Sequence, residues 1–314
     1  MRDELPTIFN SPDRVESNFY DVDGYRTHVW EAGAPSGSHL VLVHGAAGQI
    51  GMGADRWYPN IIPLSETFRV HAIDELGHGD TDAPLDRSLL AMVRERADHV
   101  AAFIEQLDVG PVHLVGQSQG GWIAGYIAIQ RPELVERLIL VDSASMAGAS
   151  LGGDRGNPDY FKRVFKPGTM IPKFDLTTRD GIRSQIAPFM FDPSMIIDPW
   201  LDRLERLSKR WNEMYMTMIE EFWSDAEHAR ARIQAMYSID GTHISELAHT
   251  ISRPTLVLWG KQSNKDLEHG LELYKKIPRA QMHILDEANH FLWLDQPHVF
   301  NALVRWYLTE KDIG

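Results

Sequence analysis

The chain has 314 residues, 43% hydrophobic and 24% charged, enough for a large buried core in one domain with a sizeable insertion or in two domains. Its net charge of -13 argues against nucleic acid or an anionic membrane surface as partner. There is no cysteine, which excludes disulfides and thiolate chemistry.

The N-terminal Met1-Arg2-Asp3-Glu4-Leu5-Pro6 lacks the apolar core of a signal peptide. No apolar run approaches the ~20 residues of a membrane span. A soluble cytoplasmic protein is therefore expected. From Asn18 to Glu31 apolar and polar residues alternate around Asp23-Gly24, the pattern of a β-hairpin. Apolar runs bounded by turns follow at Leu40–Val43, Val70–Ile73, Val112–Val115, Leu138–Val141, Thr255–Trp259 and Gln281–Leu285. Continuous runs of this length suit strands buried on both faces. Helical stripes lie between them, as in Leu89, Met92, Val93, Ala97, Val100, Ala101 and Ile104. Shorter stripes are Leu271, Leu273 and Tyr274, and Val299, Phe300, Leu303, Val304, Trp306 and Tyr307. Strands alternating with helices imply a mainly parallel, eight-stranded α/β sheet with helices on both faces.

The alternation breaks between Ser145 and about Ile251. A glycine-rich segment from Gly148 to Pro158 is followed by helical patterns at Thr178–Phe191, Asp198–Glu213 and Met214–Ser238, rich in Met, Trp and Phe. This stretch reads as a helical cap inserted after the sixth strand. Residues 1–144 and 251–314 then form the two parts of the core, and 145–250 the cap. Met- and aromatic-rich surfaces make adaptable apolar walls, and a cap over a reactive group excludes water.

Gly116-Gln117-Ser118-Gln119-Gly120 stands between the strand Val112–Val115 and a helix of small residues. Glycines two before and two after Ser118 allow the tight strand-to-helix turn that exposes a nucleophile above a sheet. A serine hydroxyl needs a base. Among 14 histidines, His290 is selected by position: it follows the last strand, on the rim that carries the strand C-termini. His44 and His78 read as structural. An oxyanion hole needs a backbone N–H from the loop after the third strand, with Ala46 the first choice and Ala47 the second. The other donor is the N–H of Gln119. Ala47, Gln117 and Phe291 flank these groups and are the expected substrate contacts.

The group that orients His290 has three candidates. After the seventh strand Gln262, Ser263 and Asn264 are not ionisable, and Asp266 comes a few residues later. Asp142 ends the sixth strand, one strand spacing of ~4.8 Å away. Asp142 is favoured, Asp266 is the alternative acid, and a dyad aided by Ser263 or Asn264 is the third case. Gly48, Gly51 and Gly53 lack the Lys-Ser/Thr of a phosphate loop. No metal motif and no dinucleotide fingerprint is present, so no cofactor and no metal are expected.

Together these residues resemble the α/β-hydrolase fold, and more narrowly the meta-cleavage-product hydrolases, serine enzymes that cut a carbon–carbon bond in vinylogous diketones. The resemblance runs from about Asn18 to the C-terminus. It includes His44-Gly45, Phe68-Arg69-Val70 through Asp74, Gly116–Gly121, His269-Gly270-Leu271, His290 onward, and the cap turn Phe191-Asp192-Pro193-Ser194. Where those enzymes usually carry aspartate after the seventh strand, Ser263 stands here. Gln117 replaces their usual asparagine, and Phe291 a frequent tryptophan. The place of their carboxylate-binding cap arginine is taken by Leu204, with Arg203 and Arg206 beside it. The resemblance implies a cofactor-independent serine hydrolase of a small, mainly apolar carbonyl compound, acting by C–C hydrolysis or on an ester or lactone. The other class to weigh is a non-hydrolytic protein on the same scaffold: a lyase, a cofactor-free oxygenase or a ligand receptor. Exposed surfaces of the cap or edge strands leave a homodimer open.

Overall fold

The structure is a computed structural model that describes residues 5–45, 52–85, 89–148, 174–223 and 234–311. Asp23 and Gly24 both adopt positive φ, as a two-residue hairpin turn requires, and join β1 (Glu16–Val22) to β2 (Tyr25–Ala32) with Val22 opposite Tyr25. The remaining sheet strands are β3 (Ser38–Val43), β4 (Phe68–Ile73), β5 (Val112–Gln117), β6 (Val135–Val141), β7 (Thr255–Gly260) and β8 (Ala280–Leu285). They form one eight-stranded sheet in the order β1-β2-β4-β3-β5-β6-β7-β8. The first hairpin and the β2–β4 pair are antiparallel, and the other pairs are parallel.

Side chains alternate across each strand, so one apolar run feeds two cores. Val41, Val43, Leu114, Leu138, Leu140 and Val257 pack on one face with the helices Leu89–Leu107 and Gln119–Gln130 (α2 and α3). Leu40, Leu42, Val115, Ile139, Leu256 and Leu258 pack on the other, against the short helix α1 (Ile61–Ser65) and the C-terminal helix Pro297–Thr309. Register decides where the chemistry falls. Val43 lies beside Gly116, Gln117 beside Val141, and Val141 beside Leu258, so the C-terminal ends of β3, β5, β6 and β7 share one rim.

Between β6 and β7 the described chain is mainly helical: α4 (Arg179–Ile186), α5 (Asp198–Trp223) and a four-residue α6 (Ile244–Leu247), with a small hairpin of Ser238–Ile239 and Thr242–His243. Thr178 caps α4 through its hydroxyl. The expected boundary at Glu213/Met214 is absent: α5 runs through it without a break, and no Gly or Pro interrupts its pattern there. Ser238, expected in a helix, begins the hairpin. Ile182, Ile186, Trp200, Leu201 and Leu204 bury into the same core as β5 and β6. After β7 come α7 (Leu267–Lys276) and, after β8, α8 (Leu292–Asp295) and α9 (the C-terminal helix). Strand β8 is an edge rather than a strand buried on both faces. Ile284 on it, with Val299, Trp306 and Tyr274 nearby in sequence to it or on α7 and α9, is exposed. An edge strand has a neighbour on one side only, which periodicity cannot reveal.

Candidate active site

The turn at Ser118 is set by its glycines. A Cβ at Gly116 would fall 2.2 Å from the carbonyl oxygen of Gly120, and one at Gly120 would fall 2.4 Å from that of His44. Strand, helix and the loop after β3 therefore pass in contact, and only glycine fits. Ser118 itself takes φ 53°, ψ -117°, a region costly for a residue with a side chain. Its amide donates to Val141, and its carbonyl accepts the hydroxyls of Ser143 and Ser145 at 2.6 and 2.9 Å. These bonds hold the strained residue from the β6 side. Gln119 opens α3, and the first amides of a helix have no partner within it. Ala46 and Ala47, expected as oxyanion donor and substrate contact, lie outside the described residues, as do Gly48 and Gly51.

Asp142 follows β6 directly, at φ 44°, and is fully buried. Its Oδ1 lies 2.7 Å from Nδ1 of His290 and accepts the hydroxyl of Ser263 at 2.9 Å. Its Oδ2 accepts the amide of Gly260 at 3.1 Å. Asp266 does not join this group: its carboxylate accepts the Glu268 amide and caps α7. Ser263 and Asn264 do not hold His290 directly either. Ser263 bonds the carboxylate, and the Asn264 amide donates to Asn289.

His290 is placed by Asn289, whose Oδ1 accepts both the His290 and Asn264 amides and whose Nδ2 donates to Pro188. Burial lowers the pKa of His290 below its usual 6.5; Asp142 opposes this, while Lys265 and Arg56 add to it. Its Nε2 lies 3.2 Å from the Gln117 carboxamide nitrogen, and Gln117 Oε1 accepts the amide of Gly45. Thus Gln117, expected to touch substrate, bridges the histidine and the loop after β3. Phe291 is buried and stacks on Phe189 at 5.8 Å.

Three features escaped sequence reading. The first is Arg56, buried and 5.8 Å over the Phe291 ring, its pKa lowered to about 10 chiefly by burial. Its Nε and Nη2 have no hydrogen-bond partner among the described residues. The carboxylates near it are engaged elsewhere: Asp55 by Arg203 at 3.2 Å, Glu75 by Arg96 at 3.3 Å, Asp74 by His28 at 2.7 Å. The second is Asp295, which accepts the amides of Phe191, Asp192 and Asn289. It thereby ties the turn Phe191–Ser194 to the loop that carries His290. The third is the linked set Tyr237, Gln119, Arg96: the Gln119 carboxamide donates to Tyr237 and accepts from Arg96. Sequence distance hides all three.

The positions near Leu204 have other duties. Leu204 is core, and Arg203 crosses to Asp55, Asp74 and Asp80. Arg203 also fills the one His28, Asp74, Asp80 group that could otherwise hold a cation among the described residues. His44, expected to be structural, is buried; its Nε2 accepts the Glu75 amide, and its pKa falls to about 3 through burial. His78 is likewise buried, against the Leu76 carbonyl.

A sequence model of the alpha/beta hydrolase fold matches residues 38–297. The chain belongs to the α/β-hydrolase fold family. Over 94% of its length it is 28% identical to a 2-hydroxy-6-oxo-6-phenylhexa-2,4-dienoate hydrolase of Burkholderia cepacia, of which it covers 95%. A 2-hydroxymuconate semialdehyde hydrolase of Pseudomonas sp. is 27% identical, with 92% of each chain covered. Among solved structures, it is similar to a meta-cleavage product hydrolase from Pseudomonas fluorescens, with TM-score 0.69, 24% identity, and 93% and 96% of the two chains covered. A serine hydrolase involved in carbazole degradation gives TM-score 0.71 at 22% identity, over 94% of this chain and 98% of that one. The expected fold holds, and proteins named as C–C bond hydrolases are among those the chain resembles, as expected.

Proposed function

We propose that this α/β-hydrolase is a cofactor-independent serine hydrolase in which Ser118 is the nucleophile, His290 the general base and Asp142 the orienting acid. The observation that carries this reading is the 2.7 Å bond between His290 and a buried Asp142, beside a serine held at φ 53° on a glycine-walled turn. Ser118 Oγ attacks the substrate carbonyl while its proton passes to His290 Nε2. Asp142 stabilises the imidazolium that forms. The carbonyl oxygen gains negative charge and is met by backbone amides, that of Gln119 and one from the loop at Ala46. His290 then protonates the leaving group, and water attacks the acyl-enzyme with His290 again as base. Residues 145–250 act as the cap, fastened to the histidine loop through Asp295. No helix among the described residues is long and apolar enough to cross a membrane.

C–C hydrolysis of a vinylogous diketone bearing a carboxylate is the favoured chemistry. The names of several relatives describe such substrates, and Arg56, buried beside Phe291, has two guanidinium nitrogens without a hydrogen-bond partner among the described residues. Asp55, Glu75 and Asp74 hold Arg56 in the charged form without a contact ion pair, which leaves N–H donors for a substrate carboxylate. Ester or lactone hydrolysis is the second reading.

The test compares a phenyl-substituted 2-hydroxy-6-oxo-dienoate with a short p-nitrophenyl ester, for wild type and Ser118→Ala. The expected result is preference for the dienoate and loss of at least a thousandfold of turnover in the variant. Preference for the ester moves the second reading forward. Retained turnover in Ser118→Ala contradicts a serine hydrolase and points to a lyase or oxygenase using His290 alone. Binding without turnover of either compound points to a receptor.

A further inference from the structure

We infer that Gln117 is a positioning residue for His290, holding Nε2 as a bare acceptor and tying the ring to the loop after β3. The orientation of its carboxamide is fixed by chemistry. The Gly45 amide can only donate, so it takes the oxygen, at 3.2 Å. The NH2 group then faces His290 Nε2 at 3.2 Å and can only donate to it. Nε2 must therefore be unprotonated, and the ring proton sits on Nδ1, where it donates to Asp142 at 2.7 Å. Both ends of the ring give the same tautomer. Gln117 is fully buried, so water does not compete for these bonds.

Reach matters. Asparagine is shorter by one carbon, about 1.5 Å, and could not span Gly45 and His290 together. Gly45 is adapted to the same contact: a Cβ there would fall 2.5 Å from Gln117 Oε1. A doubly protonated His290 would point an N–H at the Gln117 NH2, so this bond favours the neutral ring. The charged groups acting on His290 are Asp142, which favours the imidazolium, and Lys265 and Arg56, which oppose it. Gln117 adds a neutral dipole to the opposing side. In the serine-hydrolase reading, on which this part rests, Nε2 is also the atom that receives the Ser118 proton. Gln117 and Ser118 then share one lone pair, and Gln117 keeps the base neutral until substrate arrives.

The test follows His290 by NMR in protein carrying Ser118→Ala, with the resonance assigned by loss in His290→Gln. Gln117→Leu removes the donor and should raise the His290 midpoint by roughly half to one pH unit. Gln117→Glu, nearly isosteric, replaces it with an acceptor and should raise the midpoint further. With Ser118 intact, the acid limb of kcat/KM should move by the same amount, which lost packing alone would not produce. An unchanged midpoint in Gln117→Glu overturns the inference, even if Gln117→Leu does not fold. A midpoint that moves while the acid limb stays supports the role of Gln117 and contradicts His290 as the base.

Discussion

The C-terminal ends of β6 and β7 lie side by side, yet they divide one task between them. β6 supplies the carboxylate, Asp142, in a left-handed backbone that no glycine relieves. β7 supplies Ser263 and the Gly260 amide, both of which donate to that carboxylate. His290 and Ser263 contact the same oxygen, at 2.7 and 2.9 Å. The rim therefore fixes where the negative charge must lie more firmly than which strand must carry it. A buried carboxylate is tolerable only when its lone pairs are used, and β7 uses them.

The most severe way to break this division is to neutralise β6. Asp142→Asn should cost roughly a thousandfold to ten-thousandfold in kcat/KM, because the amide favours the wrong imidazole tautomer. Asp266→Asn should change it by less than about twofold, since that residue only caps α7. A large loss on Asp266→Asn would reverse the assignment. Moving the charge across the rim sharpens the comparison: Asp142→Asn with Ser263→Asp should recover about tenfold or more over Asp142→Asn alone. No recovery would mean that the two strand ends are not equivalent. Ser263→Ala deletes one hydrogen bond to a buried carboxylate, about 1.5 kcal/mol, and should lower kcat/KM about tenfold with the fold intact. Smallest is the pH effect. Burial depresses the pKa of His290, so the ring stays neutral as pH falls through 6.5; with His290 as the proposed base, kcat/KM should decline only below that value. An acid limb above 6.5 would show that Asp142 outweighs burial.

The same contrast explains what could be read from the chain. The apolar runs of β3 to β7 were legible because a strand buried on both faces leaves no other pattern. The turn at Ser118 was legible because close approach of three backbones demands glycine within a few residues. His290 and Asp142 followed from their places just past strand ends. What could not be read depends on reach between residues far apart in sequence. The sequence offers Ser263 as a partner of His290, but its hydroxyl turns to Asp142 across 121 residues. Gln117 reaches His290 across 173. The placement of Arg203 on Asp55, Asp74 and Asp80 depends on how the helical region settles on the core, and that of Arg56 beside Phe291 on how the segments after β3 and β8 meet. Periodicity reports which face of α5 is apolar but not which carboxylates it will meet. Two helical patterns meet at Glu213/Met214 with no Gly or Pro between them, and the chain joins them into one helix.

The most direct measurement is intact-mass analysis after reaction with an organophosphorus fluoride, for wild type, Ser118→Ala and Asp142→Asn. One adduct on wild type, located at Ser118, none on Ser118→Ala, and labelling slowed by a hundredfold or more in Asp142→Asn are the predicted results. An unlabelled wild type, or an Asp142→Asn protein labelled at the wild-type rate, would contradict a Ser118 nucleophile driven by His290 and Asp142.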